Sequence, residues 1–364
     1  MAIRASFKKG TFHFNFRAKT SRGTMSEKDS WFVRLEDPIS QDVFGIGEAG
    51  PLPGLSSELE GDFESKVEKA VEAFNKANVS IDQIPPALDK MSNWILSVTG
   101  EQGLASSLLF AFETALLDLR NGGKRLIFDN DFRKGKPINI NGLIWMGGMD
   151  QMLQQIEIKI QDGFNCLKLK VGGIDFEKEC DILQYVRRKY FKQDIQLRLD
   201  ANGALKPDEA MYRLYELSKY KIHSIEQPVK AGSKVLADLC RNSPIPIALD
   251  EELIGKKDIS AKEELLTALN PKYIILKPSL HGGLSGCSEW IDIAEKQKIG
   301  WWITSALESN IGLNAIAQFT SNYSNSLHQG LGTGKIYSDN FESPLVVERG
   351  KLRYSEDLPW AVDQ

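Results

Sequence analysis

Hydrophobic and polar positions change rhythm along this chain, and the changes divide it into regions. Near the N-terminus Phe12, Phe14 and Phe16 alternate with His13, Asn15 and Arg17, the period of two expected of a strand with one buried face. Residues 30–35 and 43–48 supply two more such runs, and Lys8-Lys9-Gly10 reads as a hairpin turn ahead of the first. The polar stretch 19–28 reads as a loop able to serve as a lid. Residues 45–54, with Gly45, Gly47, Gly50, Gly54, Pro51 and Pro53, read as a rigid turn able to wall a site. Helical periodicity follows over Phe63–Ala77 and residues 106–121. In the second of these, Leu108, Leu109, Phe112, Ala115, Leu116 and Leu119 form one apolar face, which leaves Glu113 and Asp118 as ordinary helix charges.

From residue 138 onward, strand-like runs alternate with helical ones. The strands fall at residues 138–144, 165–171, 195–199, 222–225, 245–249, 273–276, 300–304 and 326–331. The helices between them are Met149–Gln161, Phe176–Lys189 and residues 207–218, 233–241, 261–269, 283–298 and 311–321. No hairpin signal interrupts this block, which argues a parallel sheet closed into a barrel. The expected fold is α/β: a modified TIM barrel of (β/α)7β type with an α+β capping domain. Residues 1–125 are assigned to the cap, joined by the C-terminal segment 335–364, and residues 126–334 to the barrel. A tail hairpin around Arg349-Gly350 is expected to return to the N-terminal sheet, since an isolated hairpin is only marginally stable.

The same alternation gives the barrel its candidate chemistry. In residues 165–171, Cys166, Lys168 and Lys170 share one face, while Leu167, Leu169 and Val171 share the other. The next four strands end in Asp200, Glu226, Asp250 and Lys277, at steps of 30, 26, 24 and 27 residues counted from Lys170. Each step is the length of one strand, one helix and two loops, and parallel barrels carry their sites at these C-terminal strand ends. Three convergent carboxylates cannot all stay ionised without a cation. An oxygen-only donor set suits Mg²⁺, with Mn²⁺ as a substitute, better than Zn²⁺. Asp250 is chosen over Glu251 because it stands at the strand end, where Glu251 would face away. A cation on a substrate carboxylate makes the neighbouring carbon's proton easier to remove. Lys170 qualifies as the base if Lys168 and the metal lower its pKa, and Lys277 would lie on the opposite side. Spacing alone does not assign base, acid and electrostatic partner among the lysines.

Composition narrows the partners. A net charge of −4 argues against nucleic acid, and no run reaches the roughly 20 apolar residues of a membrane span. The N-terminus lacks the apolar core of a signal peptide, and Cys166, Cys180, Cys240 and Cys287 show neither metal-site nor redox spacing. A cytoplasmic location is expected, with free thiols, a small-molecule carboxylate as substrate and room for a homo-oligomer.

Lys168-Leu169-Lys170, Asp200-Ala201-Asn202-Gly203, Ile225-Glu226-Gln227-Pro228, Leu249-Asp250-Glu251 and Leu276-Lys277-Pro278 together resemble the enolase superfamily, and within it the muconate-lactonizing subgroup. The resemblance implies Asp200, Glu226 and Asp250 as Mg²⁺ ligands, Lys170 as general base and Lys168 as its companion near the substrate carboxylate. It also implies Lys277 as the lysine across the site, with Asn202 beside the first ligand. Three further segments, residues 47–54, 305–312 and 329–334, resemble the o-succinylbenzoate synthase family, dehydratases of menaquinone biosynthesis. That likeness adds Ser305, Glu308, Gly332 and Thr333 as substrate-side residues, and Arg22 or Lys19 to cover a succinyl tail. The alternative is an N-acylamino acid racemase or dipeptide epimerase of the same superfamily. Dipeptide epimerases usually carry an Asp-x-Asp pair after the last barrel strand, and here that region reads Gly332-Thr333-Gly334-Lys335.

Overall fold

The computed structural model describes residues 2–20, 23–38, 43–100 and 104–362. Strands β1 (Arg4–Thr20), β2 (Gly23–Glu36) and β3 (Phe44–Ala49) form an antiparallel sheet in that order. Two expectations change here. Lys8-Lys9-Gly10 is no turn: β1 runs straight through it, with Lys9 paired to Trp31 and Gly10 to Ser30. Gly10 instead makes room, since a Cβ there would come within 3.1 Å of the Phe32 ring. The polar stretch expected to be a loop is the far end of the β1–β2 hairpin, with Gly23, Thr24 and Met25 paired to β1. A register shift between His13 and Ala18 interrupts the regular pairing. Residues 336–338 lie alongside β1 there, where Asn15 donates its backbone N–H to Ile336 (3.0 Å) and Ser338 donates to His13 (2.9 Å).

Helices α1 (Phe63–Ala77) and α3 (Ser106–Arg120) cover this sheet, and α2 (Leu88–Thr99) packs on both of them. The sequence reading missed α2, although Met91, Ile95 and Thr99 are buried at helical spacing and Gly100 ends it in the left-handed conformation. Helix α3 is buried on nearly every side, and β3 lies almost touching it. A Cβ on Gly45 or Gly47 would sit 1.9 Å from the carbonyl oxygen of Ala115 or Ala111, so these glycines serve a strand–helix contact.

The second half begins with β4 (Ile138–Asn139), β5 (Gly142–Ile144), α4 (Met149–Gln161), β6 (Cys166–Lys170), α5 (Phe176–Lys189), β7 (Gln196–Asp200) and α6 (Ala210–Ser218). It continues with β8 (Ile222–Glu226), α7 (Leu236–Asn242), β9 (Ile247–Leu249), α8 (Ile259–Leu269), β10 (Tyr273–Leu276), α9 (Gly283–Lys296), β11 (Gly300–Ile303) and α10 (Asn310–Thr320). Strands β5 to β11 form one parallel sheet in sequence order. The eighth run is not a full strand. Gln329 bridges Ile140 and Gly330 bridges Thr304, so two residues join the sheet's first and last members. The first run is also divided. Ile138–Asn139 pairs with β13 (Lys351–Tyr354), itself paired with β12 (Leu345–Glu348), while the Asn139 carbonyl accepts from Gln329 N (2.8 Å). The tail hairpin therefore docks on the strand that leads into the barrel, beside the residues that precede β6, and not on the N-terminal sheet as expected. Among the described residues no helix is long and apolar enough to cross a membrane.

Glu113 and Asp118 are not ordinary helix charges, because both are fully buried. Asp118 receives the backbone N–H of Ile46 (3.1 Å), that of Arg125 (2.6 Å) and the Arg125 guanidinium. Glu113 receives Leu284 N (2.6 Å), Ser285 N (3.2 Å) and the Ser285 hydroxyl, at the start of α9. Glu48, at the end of β3, does the same for α10, receiving Ser309 N (2.9 Å), Ser309 Oγ (2.6 Å) and Gly312 N (3.0 Å). Carboxylates suit helix N-termini, where unpaired N–H groups and the helix dipole both favour negative charge.

Burial pushes the Glu113 carboxyl up to about 7, against the lowering effect of its hydrogen bonds to Ser285 and Leu284. A carboxyl whose folded pKa is raised contributes stability that is complete below its unfolded pKa and lost as pH rises through the folded one. The stability margin of the native protein over Glu113→Gln should therefore shrink by roughly 2–3 kcal/mol between pH 5 and pH 8. Thermal unfolding at the two pH values measures it, and a margin independent of pH would contradict this account.

Candidate active site

Alternation along β6 sends Lys168 and Lys170 into the barrel, while Leu167, Leu169 and Val171 join the main hydrophobic core. Lys170 is in register with Asp200 on β7, and Asp200 with Glu226 on β8, so these groups sit at one level of the sheet. Asp250 follows β9, and Lys277 follows β10 on the far side. The three carboxylates and Lys168 and Lys277 are all at least nine-tenths buried. Lys170 Nζ donates to Asp200 Oδ2 (2.6 Å) and to Asn202 Oδ1 (2.7 Å). Lys168 Nζ lies 2.9 Å from Asp200 Oδ2 and also donates to Glu226, and Lys277 donates to Asp250.

Burial alone would raise every acid here, so the neighbours decide the outcome. Lys168 and Lys170 hold Asp200 far below the usual carboxylate range, and Lys277, then Lys168, hold Asp250 below it. Glu226 goes the other way: burial, together with Asp200 and Asp250, outweighs Lys168 and pushes its carboxyl up. Lys170 is lowered, first by burial and then by the Lys168 ammonium, despite its pairing with Asp200. Of the two β6 lysines it is the one prepared to lose a proton, since the acids around Lys168 raise that group.

The donor set fits a hard divalent cation. It is all oxygen, and Glu226 Oε1 and Asp250 Oδ1 are buried without a hydrogen-bond partner. Each acid is turned onto a lysine, and among the described residues no three His, Cys, Asp or Glu side chains already form a metal cage. Seating a cation requires these carboxylates to exchange lysine contacts for metal contacts.

A cavity of about 1300 Å³ opens above the cluster. Lys168, Lys170, Asp200, Asn202 and Lys277 line its floor, and Ser305, Gly332 and Thr333 line its side. Ser305 Oγ and Thr333 Oγ1 are 2.7 Å apart and hydrogen-bonded. The end of the β1–β2 hairpin, through Phe16, Arg17 and residues 23–26, and the turn 52–55 supply outer walls. Both segments therefore reach the site as expected, although the first is strand and not loop.

Glu308 does not reach the cavity. Its carboxylate is wholly buried, accepting from Ser279 Oγ (2.6 Å) and Ala306 N (2.7 Å), so it pins the turn that carries Ser305. Arg22 lies outside the described residues, as does the placement of the Lys19 side chain. His281 and His328 are structural. His281 Nδ1 accepts from Lys277 N (2.9 Å), and burial lowers its ring to about 3; His328 pairs with Asn165 (2.8 Å). Sequence reasoning overlooked Trp145 and Met146, which line the cavity just past β5. The signal was their position after the first barrel strand, at the same mouth as the charged strand ends.

Comparison with known proteins agrees with this architecture. The family described as "Enolase C-terminal domain-like" matches residues 151–359. The o-succinylbenzoate synthase of Desulfotalea psychrophila is 42% identical, over 96% of this chain and 98% of its own length. The crystal structure of MenC from Desulfotalea psychrophila superposes with a TM-score of 0.80 at 39% identity, covering 97% of this chain and all of that one. An L-Ala-D/L-Glu epimerase of Bacillus subtilis is 28% identical over 57% of this chain and 54% of its own length. The match over more than half of the chain, and the relative similar along nearly its whole length, place this protein by descent: the chain belongs to the enolase superfamily.

Proposed function

We propose that this protein is a Mg²⁺-dependent lyase that dehydrates 2-succinyl-6-hydroxy-2,4-cyclohexadiene-1-carboxylate to o-succinylbenzoate, a step of menaquinone biosynthesis in the cytoplasm. The observation that carries the reading is the charge of the cavity wall. Above the paired lysines and carboxylates of the floor, Arg17, Lys159 and Lys335 line it, and among the described lining residues Asp200 is the only acid. A wall of that sign suits a substrate with two carboxylates and offers little to the ammonium group of a dipeptide. The relative at 42% identity supports the same choice over an epimerase.

Enzymes of this superfamily use Mg²⁺, and Asp200, Glu226 and Asp250 would hold it, supplying positive charge at the substrate's ring carboxylate. The chain's own groups account for the proton. Lys170, as the neutral amine, removes the proton from the carbon bearing that carboxylate. The C–O bond to the neighbouring hydroxyl then breaks, and Lys170 returns its proton to the departing oxygen, releasing water and restoring the base. Lys277, which lines the opposite side of the cavity, stabilises the anion as a fixed positive charge. Ring aromatisation makes the elimination undemanding.

The test is turnover by the purified protein of this substrate beside N-succinylamino acids and L,L-dipeptides. Dehydration is expected. Turnover of dipeptides alone would overturn the assignment, and racemisation of N-succinylamino acids alongside dehydration would agree with two lysines flanking one site.

A further inference from the structure

Asn202 joins two groups of opposite demand. Its Oδ1 lies 2.7 Å from the Lys170 ammonium, and its Nδ2 lies 3.0 Å from Glu251 Oε1. An ammonium only donates and a carboxylate only accepts, so one orientation of the amide satisfies both. The main chain beneath is already fixed. Asn202 has a left-handed φ of +44°, and its backbone N–H donates to Asp200 Oδ1 at 3.0 Å. What remains free is the rotation that exchanges the amide's oxygen and nitrogen, and Glu251 decides it. Glu251 is itself held in place from below. Gln227, after β8, accepts the backbone N–H groups of Asp250 and Glu252, each at 3.2 Å, and so pins the turn on either side of Glu251.

We infer that Glu251 is a positioning residue for proton transfer, holding the Asn202 carbonyl toward Lys170 so that the amine keeps one N–H on Asn202 and aims its lone pair into the cavity. The inference rests on the reading of Lys170 as the base. Without Glu251 the amide can turn its NH₂ toward Lys170, where it repels the ammonium and leaves the amine without an acceptor to orient it. The contribution is geometric and needs an acceptor at position 251, not a negative charge. That separates it from a role as a metal ligand, for which the charge would matter.

The experiment is a set of kinetic comparisons on folded variants, with fold checked by circular dichroism. Glu251→Leu should lower kcat about 10- to 100-fold. KM should change by less than roughly threefold, and the primary isotope effect with substrate deuterated at the α-carbon should rise. Glu251→Gln, whose amide oxygen still accepts, should recover most of the loss. In an Asn202→Ala background, Glu251→Leu should cost no more than about twofold, because the residue acts through Asn202. Glu251→Ala replaces the leucine variant if that one does not fold. Equal losses in the leucine and glutamine variants, or losses that multiply with Asn202→Ala, would overturn the inference. So would a fall in Mg²⁺ affinity of more than about tenfold in a calorimetric titration of Glu251→Leu. Lys170→Ala separates the two levels: if it retains turnover, the reading of the base is wrong, whereas an inactive Lys170→Ala with independent Glu251 and Asn202 effects rejects the positioning role alone.

Discussion

Lys170→Ala is expected to lower kcat by about 10³-fold or more while leaving Mg²⁺ affinity nearly unchanged. Two features make this the largest effect at the site. Of the two β6 lysines, Lys170 is the one whose pKa is lowered, so it can exist as the amine, whereas the acids around Lys168 hold that group firmly charged. It also lies against the carboxylate–lysine floor of the cavity, bonded to Asp200 and Asn202, which fixes where its nitrogen points. Exchange of the substrate's α-proton in deuterated water gives a second reading. It should vanish in Lys170→Ala and persist in Lys277→Ala, whose loss of turnover should be smaller. Near-native turnover by Lys170→Ala would mean that the base is elsewhere.

The second large effect is expected of the carboxylates. Asp200→Asn should weaken Mg²⁺ binding by about 100-fold or more, and chelation of the native protein should abolish turnover, with Mg²⁺ or Mn²⁺ restoring it. Although it stands at a barrel mouth, Asp200 is 1% exposed and receives both Lys168 and Lys170. Removing one partner of a buried ion pair leaves charge uncompensated, so Asp200→Asn should also lower stability by roughly 3 kcal/mol. Added Mg²⁺ should raise the melting temperature of the native protein more than that of the variant. Full activity in excess chelator, with no metal in the protein, would reject the metal assignment.

The barrel and its charged strand ends were legible because both follow from periodicity. A side chain at a parallel strand's C-terminal end has few places to point, so spacing alone groups Lys168, Lys170, Asp200, Glu226, Asp250 and Lys277. What was hidden depends on contacts far apart in sequence. Lys8-Lys9-Gly10 carries a turn's composition, yet Lys9 pairs across the sheet with Asp29 at 2.7 Å and the strand continues. Glu308 sits in a motif beside Ser305, and only the packing of Ser279 against it reveals that it faces the interior. The eighth strand failed for a different reason: the barrel closes through two residues, too few to impose a period. Helix α2 is hard to see because its apolar stripe is short: Met91, Ile95 and Thr99 are its buried residues.

Glu48 and Glu113 bear on how this protein could be re-engineered. Each leaves the N-terminal half to fill the opening of a helix in the other half, and the serines that meet them, Ser309 and Ser285, stand at the openings of α10 and α9. The two halves thus share their wiring as well as a surface. A chimera that grafts the N-terminal half of a relative onto this barrel would have to import both acids, or change both serines with them. A barrel expressed without that half would present two bare helix openings to water. Recombination is therefore better attempted at the end of the β1–β2 hairpin, which reaches the cavity without entering either joint.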